Sequence, residues 1–158
     1  LDVEDYFYRP LKLSVLVSVI EKLLDKATRK IRVLVADDHA VVREGICALV
    51  NLQKDMLIVG EATDGQEAIE KTLQLTPNVV LMDIVMPELN GIEAMKQITS
   101  RCKDVKVLVL SQYDDEGNIT ASKQAGAFDF IPKKSVSTEL LKAIRTAKRS
   151  KYRARDSS

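Results

Sequence analysis

The sequence predicts an α/β protein built on a doubly wound parallel β-sheet, and three features of the chain support this fold class. Short apolar runs alternate with amphipathic helical patterns from Ile31 onward. The runs are apolar at successive positions, which is typical of strands that are buried on both faces. Five strand–helix units fit into this part of the chain, and right-handed crossovers then place helices on both sides of one sheet.

The individual elements follow from the same patterns. Strands are predicted over residues 31–36, 56–60, 78–83, 105–110 and 127–131. Helices are predicted over residues 41–52, 64–75, 91–100, 114–124 and 136–150. Asp64 with Glu67 three residues later is a capping pattern, whereas Pro77 and Gly126 end helices.

Composition excludes several classes of function. The 158 residues carry 24 Lys and Arg against 23 Asp and Glu, and a net charge of +1 argues against a strongly basic nucleic-acid binder. No apolar run approaches the length of a membrane span. Cys47 and Cys102 are expected to be buried thiols in a reducing, cytoplasmic compartment. With one histidine in the chain, a zinc site would lack ligands.

Polar side chains follow several of the predicted strands where each strand ends. Asp37 and Asp38 follow the first strand, Asp83 ends the third, Ser111 follows the fourth, and Lys133 follows the fifth. Singly, each has a simpler interpretation, such as a helix cap or a solvated lysine. Together they meet at the edge of the sheet where ligands bind in doubly wound folds. Three carboxylates in one cleft repel one another and therefore need a counter-charge.

This combination of groups points to phosphoryl transfer. Mg²⁺ is the divalent cation that best suits carboxylate oxygens, and Lys133 adds a fixed positive charge. A metal ion and a lysine can neutralise the phosphoryl oxygens while a carboxylate attacks in line. An aspartate is an established acceptor in such covalent chemistry.

Four segments of the chain resemble the receiver domain of two-component response regulators. They are residues 33–39 (VLVADDH), 80–87 (VLMDIVMP), 108–111 (LVLS) and 128–133 (FDFIPK). Residues 41–46 and 111–116 resemble the NarL/FixJ-type transcriptional branch of that family. The resemblance spans residues 30–150 and implies a flavodoxin-like sheet with strand order 2-1-3-4-5.

The resemblance implies a role for each acidic residue at the strand ends. Asp83 would be the phosphoacceptor. Asp38 and Asp83 would bind Mg²⁺ directly, with the backbone carbonyl of Val85 as a third ligand. Asp37 would contact the ion through a water molecule. A sensor histidine kinase or a phosphotransfer protein would supply the phosphoryl group. The domain would not be an enzyme beyond catalysing its own phosphorylation and dephosphorylation.

The remaining residues carried over from the family concern the response to phosphorylation. Ser111 would hydrogen-bond the phosphoryl group and Lys133 would pair with its oxygens. Phe130 takes the place of the aromatic switch residue. Ser111 and Phe130 would move together and shift the population of states at the face formed by the fourth helix, fifth strand and fifth helix of the receiver.

The chain also departs from the family pattern in ways that lead to further expectations. Lys134 replaces the usual proline after the lysine, which puts the local geometry at Lys133 in question. Phe130 lacks the hydroxyl of the commoner tyrosine. Val85 is apolar and cannot position an attacking water, so we hypothesise a phosphoaspartate that lasts minutes or longer. His39 is expected to be an exposed first-turn residue without a role.

Three regions are predicted along the chain: 1–28, 29–150 and 151–158. A shift of 124 positions places Asp5 on Asp129 and Arg9 on Lys133, as in a tandem repeat. Residues 1–28 are therefore interpreted as the last strand and helix of an upstream receiver-like domain, against the simpler interpretation of a generic amphipathic helix. The apolar face of this helix would pack on the receiver or on a second copy, and we favour a homodimer.

Residues 151–158 are interpreted as a basic linker to a missing output domain, since no helix-turn-helix pattern remains to bind DNA. Two alternative functions stay open at this point. One is a pseudo-receiver scaffold that is not phosphorylated. The other is a Mg²⁺-dependent phosphatase with an aspartyl nucleophile, which would usually carry a second acid at the position of Val85.

Overall fold

The computed structural model describes residues 10–112 and 116–150, and the chain divides into two units, Leu1–Lys30 and Ile31–Ser158. The described part of the first unit is helix α1 (Pro10–Arg29). Its side chains from Leu13 to Leu24 are exposed. The strand predicted before this helix and the basic tail at residues 151–158 lie outside the described residues.

The second unit contains the five strand–helix pairs that the sequence predicts. They are β1 (Ile31–Ala36), α2 (Ala40–Asn51), β2 (Met56–Ala62), α3 (Gly65–Leu75), β3 (Val79–Asp83), α4 (Gly91–Arg101), β4 (Lys106–Ser111), α5 (Glu116–Gln124), β5 (Asp129–Pro132) and α6 (Val136–Arg149), with a 3-10 turn (Lys133–Ser135) before α6. Most boundaries differ from the predicted ones by one or two residues. The predicted start of α5 at residue 114 lies outside the described residues.

The five strands form one parallel sheet in the order β2-β1-β3-β4-β5. This confirms the predicted doubly wound fold and the strand order 2-1-3-4-5. The register aligns the carboxyl ends of the strands, since Ala36 lies beside Met82, Asp83 beside Leu110, and Ser111 beside Pro132. Residues that follow these strands therefore emerge at one edge of the sheet.

Alternation along the strands explains why both faces of the sheet are apolar. Successive side chains of a strand point to opposite faces. Val33 and Val35 belong to a cluster that is covered by α2 and α6, whereas Leu34 and Ala36 belong to a cluster that is covered by α3 and α4. The continuous apolar runs of the sequence are thus shared between two cores.

The helix starts show that neither of the two acids after the first strand is the N-cap residue of the helix that follows. Asp64 caps α3 as predicted, because its Oδ1 accepts a hydrogen bond from the Glu67 backbone N–H at 2.8 Å. Helix α2, by contrast, has His39 at its N-cap and no side-chain capping bond. Asp38 is therefore not the cap of this helix, and the simpler interpretation of Asp38 is wrong.

The two cysteines differ from expectation in their burial. Cys47 and Cys102 are thiols outside any disulfide, and both are half-buried rather than buried. Burial, with the nearby Glu61 carboxylate, raises the pKa of the Cys47 thiol to about 11, so it stays protonated at neutral pH.

None of the described helices combines the length and the apolar character that crossing a lipid bilayer requires.

Candidate functional site

The carboxyl edge of the sheet holds a cluster of acidic side chains, here called the acidic pocket, formed by Asp37, Asp38 and Asp83 with Lys133. Asp37 follows β1 and is fully buried, and Asp83 is the last residue of β3 and almost fully buried. The Asp38 side chain keeps 31% of its surface exposed and lies at the mouth of the pocket. The parallel strands thus bring Asp37 and Asp83 together, although these residues are 46 positions apart in the sequence.

Lys133 supplies the positive charge of the acidic pocket. It begins the 3-10 turn after β5, and its ammonium Nζ lies 2.8 Å from Asp37 Oδ2 and 3.1 Å from Asp83 Oδ2. The lysine side chain is 10% exposed, so this charge is largely shielded from solvent. The lysine reaches both acids although Lys134 follows it in place of the family's proline.

Burial and neighbouring charges shift the titration of two of these groups. Burial raises the pKa of Asp83, the Lys133 ammonium opposes this rise, and the Asp37 carboxylate adds to it. For Lys133, burial favours the neutral amine, but the contacts with Asp37 and Asp83 outweigh it and raise its pKa. Lys133 therefore stays protonated. For Asp83, burial makes the ionised carboxylate less favourable than it would be in water.

Ser111 and Phe130 occupy the two strands next to the acidic pocket. Ser111 ends β4 and is buried, and it lies opposite Pro132, the residue before Lys133. Phe130 lies in β5 beside Val109 of β4 and packs, half-buried, against the core under α3 and α4. The predicted switch residues thus lie on adjacent strands that end at the pocket.

The backbone after β3 is built to hold Asp83 in place. The Val85 N–H donates a hydrogen bond to Asp83 Oδ1 at 3.1 Å, while the Val85 side chain is 59% exposed. The Gly91 N–H bonds the carbonyl oxygen of Ile84, and a Cβ on Gly91 would overlap the carbonyl oxygen of Asp83. Glycine is needed at position 91 because helix α4 begins directly against the end of the strand.

Two residues at the acidic pocket were missed as functional candidates by sequence reasoning. Arg43 donates from its guanidinium NH1 to the Asp37 carbonyl oxygen at 2.7 Å and also pairs with Glu61. His39 places its ring Nδ1 3.1 Å from Asp37 Oδ1 and 3.2 Å from Asp38 Oδ1. The adjacency of His39 to two strand-end acids was the available signal, but only the fold turns the ring toward them.

The chemistry of the donor set fits a divalent cation. Asp37, Asp38, His39 and Asp83 each offer one ligand atom, and these atoms lie within 4.8 Å of one another. Three carboxylates face one lysine, so the pocket carries an excess of negative charge. The three carboxylates offer hard oxygen donors, and Asp38 keeps part of its surface exposed to water; Mg²⁺ prefers donors of this kind.

An acidic pocket of this kind, at the carboxyl edge of a five-stranded parallel sheet, defines a class of protein that binds its ligand at the strand ends of a doubly wound fold. Comparison with known proteins narrows this class. The family model for the response regulator receiver domain matches residues 33–145. The chain belongs to this family.

Its relatives are response regulators of the NarL, LiaR and DegU kind. The transcriptional regulatory protein LiaR of Bacillus subtilis is 42% identical over 117 residues, covering 74% of this chain and 56% of LiaR. The oxygen regulatory protein NreC of Staphylococcus carnosus is 40% identical over 119 residues, covering 75% of this chain and 55% of NreC. The chain thus spans about half the length of these curated relatives.

Solved structures agree with the sequence comparison. The response regulator domain of Thermotoga maritima CheB is 40% identical, with a TM-score of 0.73, and the match covers 78% of this chain and 100% of that domain. The receiver domain of the putative response regulator NarL from Mycobacterium tuberculosis is 35% identical, also with a TM-score of 0.73, over 77% and 99% of the two chains.

Proposed function

We propose that this receiver domain is a phosphoacceptor switch in which Asp83 takes a phosphoryl group from a histidine kinase or a phosphotransfer protein. The observation that carries the proposal is the position of Asp83, buried at the end of β3 with its Oδ2 3.1 Å from the Lys133 ammonium. A receiver that serves only as a scaffold has no need to keep a buried carboxylate whose ionised form burial disfavours.

In this proposal an oxygen of Asp83 attacks the phosphorus as the bond to the donor breaks. The donor is the nitrogen of a phosphohistidine, which leaves as an imidazole and takes up a proton. Lys133 pairs with the phosphoryl oxygens, and the Val85 N–H keeps the Asp83 carboxyl oriented. Mg²⁺, held by Asp38, Asp83 and the Val85 carbonyl with Asp37 acting through water, would neutralise the charge on the phosphoryl group.

The response to phosphorylation is assigned to Ser111 and Phe130. The hydroxyl of Ser111 would donate to a phosphoryl oxygen and draw the end of β4 toward Asp83. Phe130, half-buried on the adjacent strand, would then repack and shift the face formed by α5, β5 and α6. Since Phe130 has no hydroxyl, the shift between the two states depends on packing alone.

Val85 underlies a proposal about the duration of the signal. Its side chain is apolar, is 59% exposed and lies two residues after the phosphoacceptor. It cannot hold a water molecule for attack on the phosphoryl group, so the phosphoaspartate should last minutes or longer. Decay within seconds after removal of the donor, followed by intact mass, would reject this.

The same residue argues against a phosphatase. The aspartyl-nucleophile phosphatases considered above usually carry a second acid two residues after the nucleophile, and Val85 offers no group that could protonate a leaving oxygen. The pseudo-receiver scaffold is disfavoured by the contacts of Lys133 with both Asp37 and Asp83.

For the protein as a whole, we propose regulation of transcription in the cytoplasm. LiaR and similar relatives are named transcriptional regulatory proteins, but this chain spans about half their length. We further propose that residues 1–28 are the last strand and helix of a second receiver-like unit, with residues 29–150 as the receiver and residues 151–158 as a linker.

The experiment is intact mass spectrometry after incubation with acetyl phosphate and Mg²⁺. Wild type should gain one phosphoryl group, and the gain should require Mg²⁺. Asp83→Asn should gain none, whereas Asp104→Asn, at an exposed position before β4, should react like wild type. Absence of the gain in wild type, with residues 1–28 present or deleted, would leave the scaffold as the function of this domain.

A further inference from the structure

The mechanism proposed above does not use Arg43, although its side chain is bonded to the loop that carries Asp38. The Arg43 guanidinium NH1 lies 2.7 Å from the carbonyl oxygen of Asp37 and donates a hydrogen bond to it. The Arg43 side chain is 16% exposed, so this hydrogen bond is largely shielded from water. Arg43 is therefore a mostly buried cation that contacts the acidic pocket through its backbone.

A second contact fixes the orientation of the guanidinium. Its Nε donates to Glu61 Oε1 at 3.1 Å, and Glu61 belongs to β2, the strand beside β1. Because the guanidinium is planar and rigid, two hydrogen bonds in different directions define its position. The Arg43 backbone N–H also donates to the His39 carbonyl oxygen at 2.9 Å. The side chain and the backbone of Arg43 thus hold the two ends of the loop from Asp37 to His39.

Asp38 lies between these two points, and its direction depends on the backbone. The carbonyl group of Asp37 and the nitrogen of Asp38 share one planar peptide unit, so a donor on the Asp37 oxygen restricts the rotation of that unit. Asp37 itself is fully buried and is also held by Lys133 and by the carbonyl oxygen of Ala62. The Asp38 side chain is partly exposed, so packing constrains it less. Of the two acids that follow β1, Asp38 depends more on the Arg43 contact.

We propose that Arg43 is a positioning residue of the acidic pocket, which directs the Asp38 carboxylate toward the bound cation by fixing the Asp37 carbonyl. The proposal rests on the proposed function of the pocket as a Mg²⁺ site. Groups that orient metal ligands from outside typically contribute about 10- to 100-fold to the affinity for the metal. Since Arg43 acts through the backbone, we expect about tenfold, the lower end of this range.

A purely structural role, in which Arg43 only fastens α2 to the sheet, predicts a loss of stability with no change in cation binding. The chain offers a matched control in Arg32, at the start of β1. The Arg32 guanidinium donates to the carbonyl oxygens of Thr76 and Leu75, at 2.8 Å and 2.6 Å. Both arginines thus bond backbone carbonyls, but Arg32 does so at the opposite edge of the sheet from the acidic pocket.

The test is a Mg²⁺ titration of the complete chain, followed by the backbone amide resonances in NMR spectra. Arg43→Ala should bind Mg²⁺ about tenfold more weakly than wild type, whereas Arg32→Ala should bind it like wild type. Equal affinity in wild type and Arg43→Ala, or an equal loss in Arg32→Ala, would overturn the proposal. Thermal unfolding of each variant shows whether it is folded at the temperature of the titration.

The conservative variant Arg43→Lys keeps the test decisive if Arg43→Ala does not fold. Lysine retains the positive charge but lacks the planar fork that reaches both Glu61 and the Asp37 carbonyl. Arg43→Lys should therefore bind Mg²⁺ more weakly than wild type and more tightly than Arg43→Ala. Wild-type affinity in Arg43→Lys would make the charge responsible rather than the geometry, and it would also overturn the proposal.

A kinetic measurement separates positioning from a part in the chemistry. The rate of reaction with acetyl phosphate is followed as the Mg²⁺ concentration rises. In Arg43→Ala the half-saturating Mg²⁺ concentration should rise about tenfold, while the maximal rate is retained because Asp83 and Lys133 are unchanged. A lower maximal rate at an unchanged half-saturating concentration would contradict the proposal.

The same samples separate this proposal from the proposed function. If wild type binds Mg²⁺ but is never phosphorylated, the phosphoacceptor switch fails, and the Mg²⁺ titration still decides the role of Arg43. If wild type is phosphorylated and Arg43→Ala binds Mg²⁺ as wild type does, the switch stands and the positioning role of Arg43 is refuted.

Discussion

Helices α1 and α6 carry the same apolar pattern in very different surroundings. With the 124-residue offset, the inward positions of α6 correspond to apolar positions of α1: Leu140 to Leu16, Ala143 to Val19, Ile144 to Ile20, and Ala147 to Leu23. In α6 all of these side chains are buried against the sheet. In α1 each is about half exposed.

The difference shows that helical periodicity identifies an apolar face but not the surface that covers it. A face gains its hydrophobic stabilisation only when another surface removes it from water. Helix α6 has β-strands beside it, whereas the described part of the first unit is a single helix. The α6-like pattern is what supports a receiver-like origin for α1.

The largest expected effect comes from truncating one matched pair of leucines. Leu140→Ala should lower the free energy of unfolding by about 2–5 kcal/mol, because it leaves a cavity in a fully buried site. Leu16→Ala should change it by less than about 0.5 kcal/mol when the protein is too dilute to self-associate. Urea unfolding of dilute protein, followed by circular dichroism, measures both. A comparable loss for Leu16→Ala in dilute protein would mean that α1 is covered within a single chain and would break the comparison.

The second prediction concerns the partner of α1. An apolar face of this size should drive the chain to self-associate as a homodimer, as expected from the sequence. The double variant Leu16→Glu/Ile20→Glu should be monomeric in sedimentation velocity, whereas Ser18→Glu, on the opposite side of the helix, should behave like wild type. A wild-type chain that stays monomeric as its concentration rises would refute the homodimer.

A smaller effect is expected from the polar side of α6. Arg145 donates to both carboxylate oxygens of Asp55, at 2.8 Å and 3.0 Å, and to Gln53. Arg145→Ala should cost about 0.2–1 kcal/mol at neutral pH, since the pair is partly exposed. The matched position in α1 is Glu21, and Glu21→Ala should leave the unfolding free energy unchanged.

The Arg145 contact also has a pH dependence of known sign. The hydrogen bond from Arg145 holds the pKa of Asp55 below its ordinary value of 3.8. The stabilisation is therefore present above that value and is lost as the pH falls through the lowered pKa. The difference between wild type and Arg145→Ala in urea should shrink below pH 3.8. A difference that grows on acidification would contradict this pairing.

The smallest effect is expected from removing the first unit altogether. Residues 31–158 should unfold with a free energy within about 0.5 kcal/mol of that of the complete chain, since the receiver core is made of residues after Lys30. Reaction with acetyl phosphate should proceed as in the complete chain. A large loss of stability would show that the two units depend on each other.

Much of the fold could be predicted because local signals agreed with the global arrangement. The runs of successive apolar residues predicted strands buried on both faces, and Asp64 with Glu67 marked the start of α3. The ends of strands were harder to predict where they depend on pairing with a neighbouring strand. Strand β2 continues to Ala62 because Ala62 pairs with Ala36 of β1, and no local pattern encodes that partner.

The part of the candidate site that lies directly at the strand ends could be predicted, because parallel strands all end at the same edge of the sheet. Asp37, Asp38, Asp83, Ser111 and Lys133 could be singled out because parallel strands bring their carboxyl ends together. The contacts of His39 and Arg43 could not, since each depends on the path of the chain after β1. The half-burial of Cys47 likewise depends on how α2 lies on the sheet.

The sequence by itself determined the order of elements, the two-faced apolar sheet and the chemical types at its edge, because these depend on side chains and short-range spacing. The tertiary structure decided which of these groups touch. Lys133 reaches Asp83 across 50 residues and Arg145 reaches Asp55 across 90. Such contacts form when the whole core closes, and a periodic pattern such as that of α1 becomes a buried face only when the fold provides its partner.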